Sequence, residues 1–174
     1  MRKIAILAGC AAAAATASLV LYIYATSKNA PGFIGPGVLS ADVNLALEIM
    51  LVLGLTFGFY LARGGNIEAH RVNQTIWVLV NTALVALIMV PSLQGMKVKS
   101  MADLANTGIW VTLLHALIGT FSVVAGLWLV LQMNDILPQR FHISGWKNLM
   151  RLTLAAYWAV AALGIATYYF WYAA

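Results

Sequence analysis

Apolar residues run along this chain in long, nearly unbroken stretches, and polar positions collect in the short segments between them. The stretches cover about Ile4–Thr26, Val43–Ala62, Thr75–Leu93, Trp110–Met133 and Leu149–Trp171. Four reach the roughly 20 residues that an α-helix needs to cross a bilayer, and the third falls just short. The pattern predicts an all-α integral membrane bundle of five transmembrane helices.

Turn residues divide the chain further. Pro31-Gly32 and Gly35-Pro36-Gly37 punctuate the first connection, and Ser40-Ala41-Asp42 offers a cap for the next helix. Residues 1–26 thus form an N-terminal anchor helix, alanine-rich and without a charged residue after Lys3, and residues 43–174 form a four-helix bundle. Arg63-Gly64-Gly65-Asn66 is tight enough to make spans two and three an antiparallel hairpin, and Glu68 to Arg71 forms a helical lead into span three. The third connection, Gln94 to Gly108, carries Lys97, Lys99 and Asp103, and the fourth, Asn134 to Asn148, carries Pro138, His142 and Gly145.

Composition strengthens this picture. The 174 residues are 63% hydrophobic and 9% charged, with a mean hydropathy of +0.88. A soluble domain is nearer half apolar and a quarter charged, and the connections leave no length for one. The net charge of +5 is a topology signal. Alternating spans put Arg2, Lys3, Arg63, Arg71, Arg140, Lys147 and Arg151 on one face, against Lys28, Lys97 and Lys99 on the other. The positive-inside rule makes the first face cytoplasmic, giving an N-in, C-out protein. The basic residues contact lipid headgroups, and no basic run with interleaved aromatics supports nucleic acid as a partner. Tyr22, Tyr24, Tyr168, Tyr169, Trp171 and Tyr172 fall at one interface and Trp146 at the other, as aromatic belts do.

The single cysteine excludes an intramolecular disulfide and a cysteine-only metal site. Leu7-Ala8-Gly9-Cys10 spells a lipoprotein cleavage box. The apolar run before it is too short for a signal h-region and continues past it to Tyr24, so an uncleaved first span is expected.

Candidate chemistry lies in ionisable residues within or beside the spans, because such groups are costly in hydrocarbon and default to function. Glu48 and His115 stand at matched depth, roughly 8 Å below the same face at about 1.5 Å per residue, and could meet across spans two and four. A helix-joining hydrogen bond is the plain reading of that pair. Proton transfer, a metal ion held by His115 and Glu48, or a quinone-type contact are the functional ones. Gly54 and Gly58, with the stripe His115, Gly119, Ser122 and Gly126, would let spans two and four approach closely. His70 and His142 share the other end, where two imidazoles could hold haem b or simply be interfacial residues. His70, Asn73, Trp77 and Asn81 line one helix face, read first as helix glue and second as a polar track. Arg151 should pair with Glu68 or Asp135 on its side of the membrane. No catalytic triad, phosphate loop or Cys-x-x-Cys is present, so no enzyme class is indicated.

These residues also form a pattern. Glu68-Ala69-His70-Arg71 leads into one span, Leu114-His115-Ala116 lies in another, and Phe141-His142-Ile143 precedes Lys147, Arg151, Trp158, Gly164 and an aromatic run from Tyr168. From about Asn44 to Tyr172 this resembles the small bacterial membrane proteins of domain-of-unknown-function family number 420. At least one member of that family is implicated in maturing haem-copper cytochrome oxidases. The resemblance thus implies a membrane protein of bacterial inner-membrane oxidase assembly, with His70, His115 and His142 as the family's histidines. A further family histidine follows the third span, where this chain reads Pro91-Ser92-Leu93-Gln94. Glu48 then stands as a substitute partner for His115, an inference from this chain and not a family feature.

The sequence therefore leads to an accessory or assembly protein of a respiratory or other electron-transfer complex. Its partners are other integral membrane subunits and lipid, and haem or a metal ion is the cofactor its histidines would hold, with His70, His142 and His115 as candidate ligands. The alternatives are a b-type cytochrome using His70 and His142, and a purely structural subunit. Orientation is directly testable: reporter fusions after Gly65 and at Ala174 should report opposite sides, with the Gly65 fusion cytoplasmic. A cytoplasmic signal at Ala174 would overturn the five-span topology.

Overall fold

The computed structural model describes residues 2–96 and 106–173. Five helices are long and apolar enough to cross a membrane: α1 (Arg2–Thr26), α2 (Leu39–Arg63), α3 (Ile67–Gly95), α4 (Thr107–Met133) and α5 (Trp146–Tyr172). No strand occurs among the described residues, only an isolated bridge between Pro31 and Val38. Lys97, Lys99 and Asp103 of the third connection lie outside the described residues.

Each helix extends past its apolar stretch because polar residues complete its ends. Asn66 caps α3, its side chain accepting from the Ala69 amide at 3.1 Å, so the lead through His70 is helix from Ile67 onward. Gly65, at a φ of +82°, makes the turn out of α2 that a residue with a Cβ would resist. Near its far end α3 widens into a π-helical turn over Val85–Met89. Pro91 accounts for it: proline has no N–H to donate and its ring crowds the carbonyl four residues back.

Helices α2 to α5 form an antiparallel ring in which α2 meets α3 and α5, and α4 meets α3 and α5. The first helix lies along the outside of α3, where Gly9 admits Leu79 and the Thr75 backbone. Leu51, Leu55, Val78, Leu84, Val130 and Tyr157 are among the residues that close the core. Leu7, Phe57, Leu117, Val124 and Ile165 point outward and exposed. Large apolar side chains on the outer face of five spanning-length helices suit hydrocarbon surroundings, as a multi-pass membrane protein requires.

The glycines of α2 serve a different neighbour from the one expected. A Cβ at Gly54 would fall on the Trp77 indole, and one at Gly58 on the amides of Asn73 and Gln74. Both glycines face α3, leaving α2 and α4 on opposite corners of the ring. The stripe on α4 is likewise spent elsewhere, with Gly126 against Tyr157 and Val78 and Gly119 against Met89. Gly54→Ala should therefore lower stability in a detergent-melting series by about 1–3 kcal/mol, the usual cost of overpacking. Gly64→Ala, whose Cβ would meet only ordinary contacts from 3.5 Å outward, should change it little. Equal effects would refute this packing.

Candidate functional site

Polar side chains inside the bundle mostly end on a neighbouring backbone. Gly54 and Gly58 bare the α2 carbonyls, and α3 uses them: Asn73 donates to Gly54 O at 2.8 Å and Gln74 to Leu55 O at 3.0 Å. His70 joins the same set, its Nδ1–H donating to Gly58 O at 2.7 Å. It is 7% exposed, buried against α2 in the first turn of α3. Deeper in α3, Asn81 donates to the Tyr157 hydroxyl of α5 at 3.2 Å. The stripe of His70, Asn73 and Asn81 is thus helix glue, as its plain reading held.

Glu48 and His115 do meet. His115 Nε2 stands 3.9 Å from Glu48 Oε1, with both side chains largely buried. Their helices are not close neighbours, and Gly164 of α5 resolves the difficulty. A Cβ there would overlap the Glu48 carboxylate, so the glycine is what lets Glu48 reach over α5 towards α4. Sequence reasoning quoted Gly164 only for a family resemblance. Nothing in an apolar helix marks which glycine will admit a carboxylate from another.

The two groups are bonded unequally. His115 Nδ1–H donates to Val160 O at 3.1 Å, which leaves Nε2 with a lone pair on the Glu48 side. Glu48 Oε1 is buried and has no hydrogen-bond partner among the described residues. One proton on either Oε1 or Nε2 makes the pair neutral overall, as carboxyl beside imidazole or as carboxylate beside imidazolium. Both residues line a cavity of about 580 Å³ at the face carrying the α1–α2 loop. Thr167 also lines it, and its Oγ1 is a second buried atom without a partner. Below, Glu48 reaches a void of about 20 Å³ shared with Asn81, Ser122 and Tyr157, room for a single water.

Tyr168 of this cavity's wall takes part in a contact that sequence reasoning missed. Asp42 was expected to cap α2. It lies instead in the first turn of that helix, fully buried, and its carboxylate gathers the amides of Phe33 and Ile34 and the Tyr168 hydroxyl. Tyr168 in turn accepts from the Gly37 amide at 3.1 Å. One member of the expected aromatic belt is therefore the post on which the first loop is fastened. The Gly-rich loop permits this, because a Cβ on Gly37 would strike the Tyr168 ring.

At the opposite end His70 and His142 line a second cavity of about 590 Å³. His142 is exposed, and its Nε2–H donates to Leu137 O at 3.0 Å within its own loop. Arg151 lacks the partner expected for it. Glu68 bonds Arg71 at 3.0 Å, and Asp135 pairs with Arg2.

No family model, curated protein or solved structure matches this chain. Among the described residues no three His, Cys, Asp or Glu side chains gather as a metal-binding group, so Glu48 and His115 offer two protein donors.

Coupling between the two should be measurable. In a cycle of Glu48→Gln, His115→Gln and the double variant, read by detergent melting, the effects should be non-additive by about 1 kcal/mol, the scale of interhelical polar contacts. Gly164→Ala, by displacing the carboxylate, should reduce that coupling towards zero. Strict additivity in the parent background would remove the pair from consideration.

Proposed function

We propose that this protein is an accessory or assembly protein of a respiratory or other electron-transfer complex in the bacterial inner membrane, with the Glu48–His115 pair as its working site. The observation that carries the site is the orphaned Glu48 Oε1, buried beside the His115 Nε2 lone pair in the wall of a cavity. A carboxylate and an imidazole are the donors that intermediate metal ions accept, and the His115 ring is already fixed by Val160 through its other nitrogen, the outer-shell bond that orients ligating histidines. Two protein donors suit a metal that is held and passed on better than one locked in place. Solvent or a partner subunit would complete its coordination. The resemblance to domain-of-unknown-function family number 420 supplies the assembly context, and N-in, C-out insertion would place this cavity at the outer face.

A second reading, a b-type cytochrome, is favoured by one observation. His70 and His142 line the same cavity, and with Nδ1–H on Gly58 O His70 keeps Nε2 as a lone pair for iron. The donor set fits haem to that extent, and the haem would supply one-electron chemistry.

The readings separate in one preparation. Detergent-purified protein incubated with Cu or Zn and desalted should retain about one ion per chain, as a single imidazole–carboxylate site would. His115→Gln and Glu48→Gln should each lose it, while His70→Ala should retain it. Ion retention indifferent to both substitutions would defeat the proposal. A reduced-minus-oxidised b-type spectrum abolished by His70→Ala would move the function to the other end of the bundle.

A further inference from the structure

We propose that the cavity between Arg63 and Arg151 binds an anionic phospholipid from the surrounding membrane, with its headgroup on the basic rim and its acyl chains along the apolar wall. The cavity, about 590 Å³, lies at the end of the bundle where α1 begins and where α2 turns into α3. Its lining has two kinds of surface. Leu55, Phe59, Val78, Leu129 and Leu154 form apolar walls running up to Tyr157. Arg63, Arg71, Lys147 and Arg151 stand around the headgroup end, with Arg2 beside them.

The balance of charge is what calls for a guest. Asp135 is taken by Arg2, and Glu68 by Arg71. Arg63, Lys147 and Arg151 make no ion pair among the described residues; Arg63 lies over the Phe59 ring at 5.7 Å and Lys147 over the Trp146 ring at 5.5 Å. Arg71 supplies an independent observation. Its Nε is buried with no acceptor among the described residues, though Glu68 holds its Nη1 at 3.0 Å. A buried guanidinium N–H without a partner costs more than an exposed one, and an anionic oxygen entering the cavity would relieve it.

Neither half of the lining is served by a simpler occupant. Inorganic phosphate would pair the cations and leave the leucine and phenylalanine walls wet. A neutral acyl chain would cover the walls and leave three cations and one buried donor unmatched. An amphiphile with a phosphate head satisfies both, and basic pockets between transmembrane helices hold such headgroups. Phospholipid is also the amphiphile present at membrane concentration around the rim.

The test is delipidated full-length protein titrated with phosphatidylglycerol, phosphatidylcholine or inorganic phosphate and read by native mass spectrometry. Phosphatidylglycerol should bind at about one per chain with roughly tenfold preference over phosphatidylcholine, and free phosphate should not be retained. Arg151→Gln, an exposed change, should weaken the anionic lipid about fivefold, the effect of one near-surface cation. Lys28→Gln removes the same charge from the opposite end and should leave binding unchanged. Equal retention of the two lipids, an equal loss in Lys28→Gln, or retention of phosphate alone would each overturn the proposal. So would a haem Soret band in the same sample that His70→Ala removes, since haem would then be the occupant.

Discussion

The bundle depends on the close approach of α3 to the bare backbone of α2 at Gly54 and Gly58. In hydrocarbon no water is available to satisfy an amide or an imidazole, so each polar side chain must find its partner inside the protein. Helical carbonyls have a second lone pair, but side chains usually cover it. Two glycines one turn apart uncover it along α2, and Asn73, Gln74 and His70 take it up. The Trp77 ring settles over Gly54 in the same contact. Polar residues that would be expensive separately thus become the adhesive between two helices.

That contact also fixes what is left over. With one face of α2 committed to α3, Glu48 is carried to another side of the helix, towards α5. There a third glycine, Gly164, gives its carboxylate room. The ring arrangement then separates the polar chemistry into two ends. Glu48, His115 and Thr167 occupy the end fastened by Asp42 and Tyr168, while the unpaired cations gather at the other. Tyr157, held by Asn81, lies between them and lines both the void below Glu48 and the basic cavity.

The fold was legible because spanning helices are specified by length and hydropathy, which are local properties. The pairing of Glu48 with His115 was legible too, since depth along a helix can be counted from a span's end. Helix neighbours could not be counted. Gly54 and Gly58 announce a close approach without naming the partner, and the inference that they faced span four was wrong because α3 carries the amides that fit them. Asp42 and Arg151 fail for a related reason. Asp42 was read only as part of a local cap, whereas it bonds the preceding loop and a helix far away in sequence. Arg151 was paired by membrane side, which does not show that Arg2 and Arg71 take both carboxylates. His70 was legible as part of a helix-joining stripe, because the helical lead from Glu68 put it in register with Asn73 and Asn81, but its acceptor on α2 was not.

His115 joins its helix to α5 through Val160 O, whereas the Glu48 carboxylate has no such bond. The other interhelical polar contacts end on a carbonyl or hydroxyl at hydrogen-bonding distance: 2.7 Å for His70, 2.8 Å for Asn73, 3.0 Å for Asn134 on Thr75. Each serves packing and leaves its donor satisfied. Glu48 and His115 stand 3.9 Å apart, too far for a direct bond, with Oε1 unsatisfied and beside a cavity. A glutamine at position 48 would carry less electrostatic cost in the same space, so packing gives no reason for a carboxylate. Buried polar atoms without a partner call for an explanation, and Glu48 Oε1 shares that condition with Thr167 Oγ1 in the same cavity wall. Glu48 thus brings an ionisable group into the bundle interior without a hydrogen bond of its own, and what it faces is an imidazole oriented through its other nitrogen.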